Sequence, residues 1–182
     1  MKPIYILMCV ALIFSCNKTD NKEDHTKDNF NNPIGYFKIK NDNGSYSLVP
    51  DEKINSETFS KYFTEGGWRT VLECAVYPNG VDTTARMIGG GITYIATQSS
   101  GILRIYQISD ASAEMRHLYY DIKYSFTNSI LKSDDYYMVC HIDGNTMVLV
   151  RKENRDTTWT CCKFKHVDKA NLNQLTSSFI KQ

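Results

Sequence analysis

The ten residues 117–126, HLYYDIKYSF, alternate between two kinds of side chain. The even positions are all apolar or aromatic: Leu118, Tyr120, Ile122, Tyr124 and Phe126. The odd positions are mostly polar, and they include Asp121, Lys123 and Ser125. Successive side chains of a β-strand point to opposite faces, so this period of two predicts a strand with one buried face.

Similar runs, each ended by a turn signal, recur on both sides of this stretch. Residues 143–145, Asp-Gly-Asn, separate two of them and form the clearest hairpin of the sequence. Counted from Trp68, eight strand candidates follow one another at 68–77, 81–88, 92–97, 102–109, 117–126, 136–142, 146–152 and 157–166. Short strands with short connections are typical of an antiparallel up-and-down meander closed into a barrel, or of a two-sheet sandwich.

Two helices and a small hairpin are predicted around these strands. Ser56 is the expected N-cap of a helix over 57–63. Asp168 begins a C-terminal stretch with apolar residues at helical spacing, namely Leu172, Leu175, Phe179 and Ile180. Residues 34–48, with Asn43 and Gly44 at their middle, predict a hairpin ahead of the first helix.

Composition and charge exclude several classes of protein. The chain has 182 residues, of which 42% are hydrophobic and 23% charged, and its formal net charge is +1. These values lie near the average for globular proteins, which excludes wholesale disorder and leaves room for one ordinary domain. The near-neutral charge gives no electrostatic basis for attracting nucleic acid, so no nucleic-acid partner is expected.

The N-terminal segment predicts export and lipidation. Lys2 precedes the apolar run 4–14, which at eleven residues is shorter than the ~20 residues that span a bilayer. Ser15 followed by Cys16 resembles a bacterial lipobox, so residues 1–15 are the expected lipoprotein signal peptide and Cys16 the acylated residue. An ordinary secretory signal or a short membrane anchor is the alternative interpretation.

Residues 16–33 are the expected flexible tether between the lipid and the domain. Phe30 is the one apolar residue between Asn17 and Pro33, so this stretch buries too little apolar surface to fold. The mixture of Lys, Asp and Glu after Cys16 resembles signals that send lipoproteins to the outer membrane of Gram-negative bacteria, on its periplasmic or surface face. The domain itself is expected over residues 34–182.

The order of elements resembles that of the lipocalins and their bacterial lipocalin-like relatives. A helix ending in aromatic residues is followed by Gly66-x-Trp68, then by eight strands and a C-terminal helix. In that family the G-x-W motif opens the first barrel strand, and the resemblance implies that Trp68 plugs the closed end of an all-β, eight-stranded antiparallel barrel. It also implies a cationic side chain over Trp68, for which Arg151, Lys163 and Lys165 are the candidates.

A lipocalin-like barrel implies an interior, or lumen, lined by the inward side of each strand. The inward residues expected to contact a ligand are Tyr120, Tyr124, Phe126, Tyr136 and Met138. Leu72, Cys74, Val76 and Cys140 are assigned to the same interior. Such a small barrel is either filled by its own side chains or holds one small ligand, and the aromatic composition fits both alternatives.

Four cysteines remain if Cys9 leaves with the signal peptide and Cys16 carries lipid. In a closed meander the first and last strands are neighbours, so Cys74 can reach Cys161 or Cys162. Because Cys162 shares the inward face with Phe164, at most one disulfide is predicted, between Cys74 and Cys162. Four buried free thiols are the alternative.

The sequence contains no recognisable catalytic motif, so no enzymatic activity, cofactor or metal is expected. The leading hypothesis is a non-enzymatic, membrane-anchored lipoprotein that binds a small apolar or amphipathic ligand in its lumen. The alternative is a solid-cored envelope lipoprotein that binds a protein or a glycan through exposed loops and aromatics, with Tyr119, Tyr137 and Trp159 as contacts. The oligomeric state does not follow from the sequence.

Overall fold

The computed structural model describes residues 30–84, 92–109, 116–153 and 157–182. The strands are β1 Phe37–Asp42, β2 Ser45–Pro50, β3 Gly67–Tyr77, β4 Gly80–Asp82, β5 Ile92–Ser99, β6 Ile102–Ser109, β7 Arg116–Lys123, β8 Ser125–Thr127, β9 Ile130–Lys132, β10 Tyr136–Ile142, β11 Thr146–Lys152, β12 Trp159–Val167 and β13 Ile180–Lys181. The helices are α1 Ser56–Phe63 and α2 Lys169–Leu175. The signal peptide, Cys16 and most of the tether lie outside the described residues.

The predicted all-β class is confirmed. β1 and β2 form a two-stranded sheet of their own, which is the hairpin predicted ahead of the first helix. The other strands form one large sheet in the order β13-β7-β6-β5-β3-β12-β11-β10-β9-β8, with β4 on β3. This sheet differs from the prediction because it has more than eight strands and its ladder of hydrogen bonds has two ends, at β13 and β8.

Two predicted strands share one edge of β3. Residues 81–88 and 92–97 were expected to be successive strands, but β4 pairs with Ala75–Tyr77 and β5 pairs with Gly67–Arg69 of the same strand. The three glycines at 89–91 lie between β4 and β5, outside the described residues.

The deciding stretch 117–126 is divided in two at Tyr124. β7 pairs with β6, whereas β8 pairs with β9 in a short hairpin that periodicity did not predict. Asn128 and Ser129 both have positive φ at the tip of this hairpin, as a tight two-residue turn requires. The Tyr124 N–H donates a hydrogen bond to the Gly101 carbonyl at 2.9 Å. This bond fixes the residue between β7 and β8 to the turn before β6.

The large sheet is covered on both faces. The inner cluster packs between the sheet and α1, and consists of Ile54, Phe59, Phe63, Trp68, Ile95, Leu103, Ile105, Leu131, Val139, Ile142, Met147, Leu149, Cys162 and Phe164. The outer cluster lies under the β1–β2 hairpin, and consists of Ile34, Phe37, Leu48, Cys74, Val76, Cys140, Val148, Val150, Trp159 and Cys161. Each large apolar side chain buried in this way contributes about 2 kcal/mol.

Helix α1 packs against the inner cluster through its aromatic face. The Asn55 side chain accepts a hydrogen bond from the Thr58 N–H at 2.8 Å, so the N-cap is Asn55 and the predicted cap, Ser56, is the first helical residue. The Phe59 ring stacks on Phe126 with centroids 3.9 Å apart, and Phe63 stacks on Phe59. These contacts fix the helix against β8.

Helix α2 ends earlier than predicted, because the apolar residues expected at helical spacing extended to Ile180. Asp168 caps it as expected, but the helix ends at Leu175, and Leu175 and Ile180 are exposed. Leu172 and Phe179 alone turn inward, onto Tyr94, Ala96 and Tyr106 of the neighbouring sheet face. Ile180 instead begins β13, which pairs parallel to β7. Within the described ranges, neither helix has the length and apolarity needed to cross a bilayer.

Gly66, one of the predicted barrel-closing residues, allows a close approach of two backbone segments. Its φ is +73°, and an added Cβ would lie 2.5 Å from the Val167 carbonyl oxygen. Gly44 has a similar φ of +85°, but a Cβ there would meet no atom within 4 Å. Substitution of Gly44 therefore tests the backbone strain alone, whereas substitution of Gly66 adds a steric clash with Val167.

We expect Gly66→Ala to lower the free energy of unfolding by about 3 kcal/mol and Gly44→Ala by about 1 kcal/mol. Both variants place alanine in the left-handed region, but Gly66→Ala also forces a backbone oxygen to move. Urea unfolding followed by circular dichroism measures both values. Equal losses in the two variants would contradict the role given to the Val167 contact.

Candidate ligand site on the inner face of the sheet

A small cavity lies within the inner cluster. Its volume is about 20 Å³, which is room for about one water molecule. The lining residues are Ile95, Leu103, Ile105, Leu131, Ser133, Tyr137, Leu149, Cys162 and Phe164. Of the two alternatives for the interior, filling by side chains therefore describes this conformation better than an open ligand chamber.

Three of the five predicted ligand contacts pack against the inner cluster, which contains the cavity. Tyr120, Tyr124 and Phe126 are half-buried and pack against the inner cluster, as the alternation of 117–126 predicts. Tyr120 also accepts a hydrogen bond from the Gln107 amide at 3.3 Å. Burial, and secondarily the charge of Asp134, raise the pKa of Tyr120, so its hydroxyl remains a neutral donor.

The other two predicted contacts, Tyr136 and Met138, do not face the interior. Tyr136 is 59% exposed, and Met138 packs against the outer cluster. The inward residues of β10 are Tyr137 and Val139 and, beyond the register shift, Ile142. Cys140 is in the outer cluster as well, so the whole face assigned to this strand was wrong.

The assignment failed because polar and apolar residues do not alternate in β10, so its sequence does not show which residues face inward. Its residues 136–142, YYMVCHI, are apolar at nearly every position, since both faces of the strand are covered. A register shift between Val139 and His141 adds a further change of face. Tyr137, which sequence reasoning placed on the outside, could therefore have been found only from its pairing partners.

A register shift in β3 explains the misplaced residues of that strand. Thr70 pairs with Phe164 and Leu72 with Lys163, so Val71 is an extra residue without a partner on β12. Trp68 lies in the inner cluster as predicted, but beyond the shift Leu72, Cys74 and Val76 belong to the outer face. A single inserted residue reverses the face of every residue after it.

The reversal brings Glu73 to the inner face. Glu73 pairs directly with Cys162, and partners across a ladder share a face. Burial raises the pKa of Glu73, while the positive charge of Arg151 acts in the opposite direction. Burial also raises the pKa of Cys162 to about 12, so this thiol is neutral at physiological pH.

Arg151 organises the charged groups at this end of the site. Its guanidinium binds the Asp135 carboxylate at 3.2 Å and the Glu153 carboxylate at 2.9 Å. The Thr160 hydroxyl also donates to Glu153, at 2.5 Å. Tyr137 lies opposite Arg151, and burial raises the pKa of its hydroxyl. The inner face thus has an apolar cavity and, beside it, a charged rim around Arg151 that contributes no residue to the cavity lining.

Trp68 fills the opposite end of the inner cluster. Its side chain is fully buried, and its indole N–H has no hydrogen-bond partner among the described residues. The edge of His166 lies against it, with ring centroids 5.3 Å apart, and the Nε2 atom of His166 contacts the Glu65 carbonyl at 2.6 Å. The residue beside Trp68 is therefore His166.

None of the three cations proposed for that role is placed like His166. Arg151 belongs to the charged rim, and the Lys163 ammonium lies 6.0 Å from the Tyr36 ring on the outer face. Lys165 is exposed and pairs with Arg69.

The predicted disulfide between Cys74 and Cys162 is not formed. All four domain cysteines are free, and the shift in β3 places Cys74 on the outer face and Cys162 on the inner face. The residue opposite Cys74 is Cys161. In the described ranges, no three His, Cys, Asp or Glu residues come together as a metal site.

Comparison with known proteins yields structural neighbours only. No family model matches the chain, and no curated protein matches it. The bovine lipocalin allergen Bos d 2 is similar in structure with a TM-score of 0.39 and 15% identity, over 65% of this chain and 85% of that one. A complex of bovine odorant-binding protein with undecanal has a TM-score of 0.39 and 13% identity, over 69% of this chain and 85% of that one.

We expect Glu73→Gln to raise the free energy of unfolding by about 0.5 kcal/mol near pH 8. Folding disfavours the charged form of a carboxyl whose pKa is raised, so this penalty appears as the pH rises above its ordinary value of 4.5. Below that value the side chain is neutral in both states, and the gain disappears. Urea unfolding at pH 4 and pH 8 measures the difference.

The matched control is Glu52→Gln, which changes an exposed carboxylate in the turn after β2. It should alter stability equally little at both pH values. A loss of stability at pH 8 in Glu73→Gln would mean that the attraction of Arg151 outweighs desolvation at this site.

Proposed function

We propose that the protein is a membrane-anchored lipoprotein whose all-β domain takes up one small apolar or amphipathic molecule on the inner face of its sheet. The cavity between Leu103, Leu131 and Phe164 is the observation that carries the proposal. It is apolar, it lies beside half-buried aromatic side chains, and Ser133 and Tyr137 are the hydroxyl-bearing residues of its lining.

The proposal includes a barrel of eight strand positions. β4 and β5 occupy one position because both pair with β3, and β7 and β8 occupy another because Tyr124 alone separates them. β7 pairs with β6 and β8 with β9, so the order β3, β4/β5, β6, β7/β8, β9, β10, β11, β12 returns to β3. On this interpretation the inner face is a lumen.

A ligand enters this lumen by displacing side chains rather than by filling an existing chamber. Tyr120, Tyr124 and Tyr137 are packed against the inner cluster but only partly buried, so these are the side chains that the proposal requires to rotate. Each methylene that a ligand buries contributes about 0.8 kcal/mol. A slender aliphatic chain suits such a space better than a bulky ring system.

A second candidate function follows from the outer face. A groove of about 300 Å³ lies between the β1–β2 hairpin and the sheet, and it is lined by Tyr46, Ser47, Leu48, Ile130, Tyr136, Met138, Val150, Lys152 and Trp159. The exposed Tyr136 ring at its edge favours the alternative of a solid-cored domain that binds a protein or glycan.

The contacts assigned to that alternative change accordingly. Trp159 is buried beneath the hairpin and Tyr137 faces inward. Tyr119 lies under the Arg104 guanidinium, with the two groups 4.4 Å apart. Tyr136 therefore replaces these three as the exposed aromatic contact.

We expect Leu103→Phe to weaken uptake of an apolar ligand at least tenfold, because the larger ring fills the cavity. The neutral dye N-phenyl-1-naphthylamine is titrated into the purified protein, and decan-1-ol is then used to displace it. The matched control is Leu48→Phe, the same change in the outer cluster, and thermal melts establish that both variants fold.

Dye binding that Leu103→Phe leaves intact, or that Leu48→Phe abolishes, would place the ligand outside the inner cluster. No dye binding by the unmodified protein would favour the solid-cored alternative, in which Tyr136→Ser weakens partner binding.

We expect Cys16→Ser to abolish incorporation of an alkyne analogue of palmitate in cells, because the thiol that carries the acyl chains is absent. The variant should also keep residues 1–15, since cleavage before Cys16 follows its lipidation, and intact-mass measurement checks this. Cys9→Ser, within the expected signal peptide, is the control and should still be labelled. Palmitate labelling that persists in Cys16→Ser, or an unmodified protein that keeps residues 1–15, would contradict the assignment of Cys16 as the acylated residue.

A further inference from the structure

The seam between β3 and β12 brings two thiols together on the outer face of the sheet. Cys74 and Cys161 are directly opposed in the ladder, and both side chains are fully buried in the outer cluster. The Cys74 thiol donates a hydrogen bond to the Cys161 carbonyl oxygen, at 3.7 Å. No other part of the proposed function uses this pair.

The geometry suits a covalent bond between these two sulfurs. Directly opposed residues of antiparallel strands have Cβ atoms about 4.5–5.5 Å apart, and a disulfide requires about 3.5–4.5 Å, so the two strands need to approach by about 1 Å for the bond to form. Cys162 points to the opposite face of the same strand. Cys140 is on β10, and β11 lies between β10 and β12, so two strand spacings of about 4.8 Å separate it from Cys161.

We propose that Cys74 and Cys161 are a redox pair that forms a disulfide across the β3–β12 seam by exchange with a disulfide donor. This proposal does not depend on ligand binding. The partner of Cys74 is then Cys161 and not Cys162, which was expected from the sequence, because the extra residue Val71 places Cys74 on the outer face.

The exchange proceeds in two steps that balance. The Cys74 thiolate attacks one sulfur of the donor, which forms a mixed disulfide and releases one donor thiolate. The deprotonated Cys161 then attacks the Cys74 sulfur and releases the second donor thiolate. The two cysteines lose two electrons, the donor gains them, and the two cysteine protons end on the donor's thiols.

Cys74 is suited to the first step. A hydrogen bond from the Cys161 thiol lowers the pKa of Cys74, whereas that same contact, together with burial, raises the pKa of Cys161. The thiolate is the reactive form, so the lower pKa selects Cys74 as the attacking group.

The β1–β2 hairpin controls access to the pair. It covers the outer cluster, but it forms a separate two-stranded sheet that shares no ladder with the large one. The hairpin can therefore lift, or dock late in folding, without breaking the hydrogen bonds of the large sheet. Exchange occurs in that uncovered state, and docking then seals the bond from further exchange.

The test uses the full chain with Cys9→Ser and Cys16→Ser, which leaves the four domain thiols. The protein is incubated with oxidised glutathione or with dithiothreitol, free thiols are alkylated, and peptides are mapped by mass spectrometry. We expect one disulfide in the oxidised sample, linking Cys74 to Cys161, and none in the reduced sample. Cys161→Ser should abolish it, and the matched controls Cys162→Ser and Cys140→Ser should keep it.

The bond joins residues 87 positions apart in the chain, so closing this loop should raise the melting temperature of the oxidised protein by about 10 °C over the reduced protein. Cys161→Ser should show no such difference. A bond from Cys74 to Cys162, or four thiols that remain free after oxidation, would overturn the proposal. The peptide map of the parent chain decides this even if a variant fails to fold.

Discussion

The pairing of β3 with β12 is the interaction on which the rest of the structure depends. It joins the first long strand of the large sheet to its last antiparallel strand, along nine residue pairs from Gly67–Val167 to Val76–Trp159. Residues on one side of this ladder, such as Trp68 and Phe164, belong to the inner cluster, and residues on the other side, such as Cys74 and Cys161, belong to the outer one. Such a long-range contact carries a large loop-closure entropy, which two buried faces offset.

The inner face combines two kinds of polar group with different energetic consequences. At one end the Trp68 N–H is fully buried, and no group among the described residues accepts a hydrogen bond from it. At the other end, the Arg151 guanidinium forms ion pairs with the carboxylates of Asp135 and Glu153, and Glu73 lies on the same face of the sheet. Polarity is thus concentrated where water or a ligand head group can reach it.

The inward face was predicted correctly where polar and apolar residues alternate, and wrongly in a strand that is buried on both faces. The alternation of 117–126 correctly placed Tyr120, Tyr124 and Phe126, and the Asn43-Gly44 turn correctly indicated the hairpin. β10 and β11 are buried on both faces, so their apolar runs carry no phase, and Tyr136 and Met138 were assigned to the wrong side. The extra residue Val71 has no signature in the sequence, because a register shift exists only relative to the partner strand.

The short parallel strand β13 has a consequence for self-association. β7 would otherwise present an unpaired edge at Leu118 and Tyr119, the kind of template on which a second polypeptide adds a strand and aggregates. Ile180 and Lys181 occupy that edge, and the Gln182 N–H donates to the Tyr119 carbonyl at 2.9 Å. Residues 180–182 thus cover an edge to which another polypeptide could add a strand, although Ile180 is exposed and adds almost nothing to the hydrophobic core.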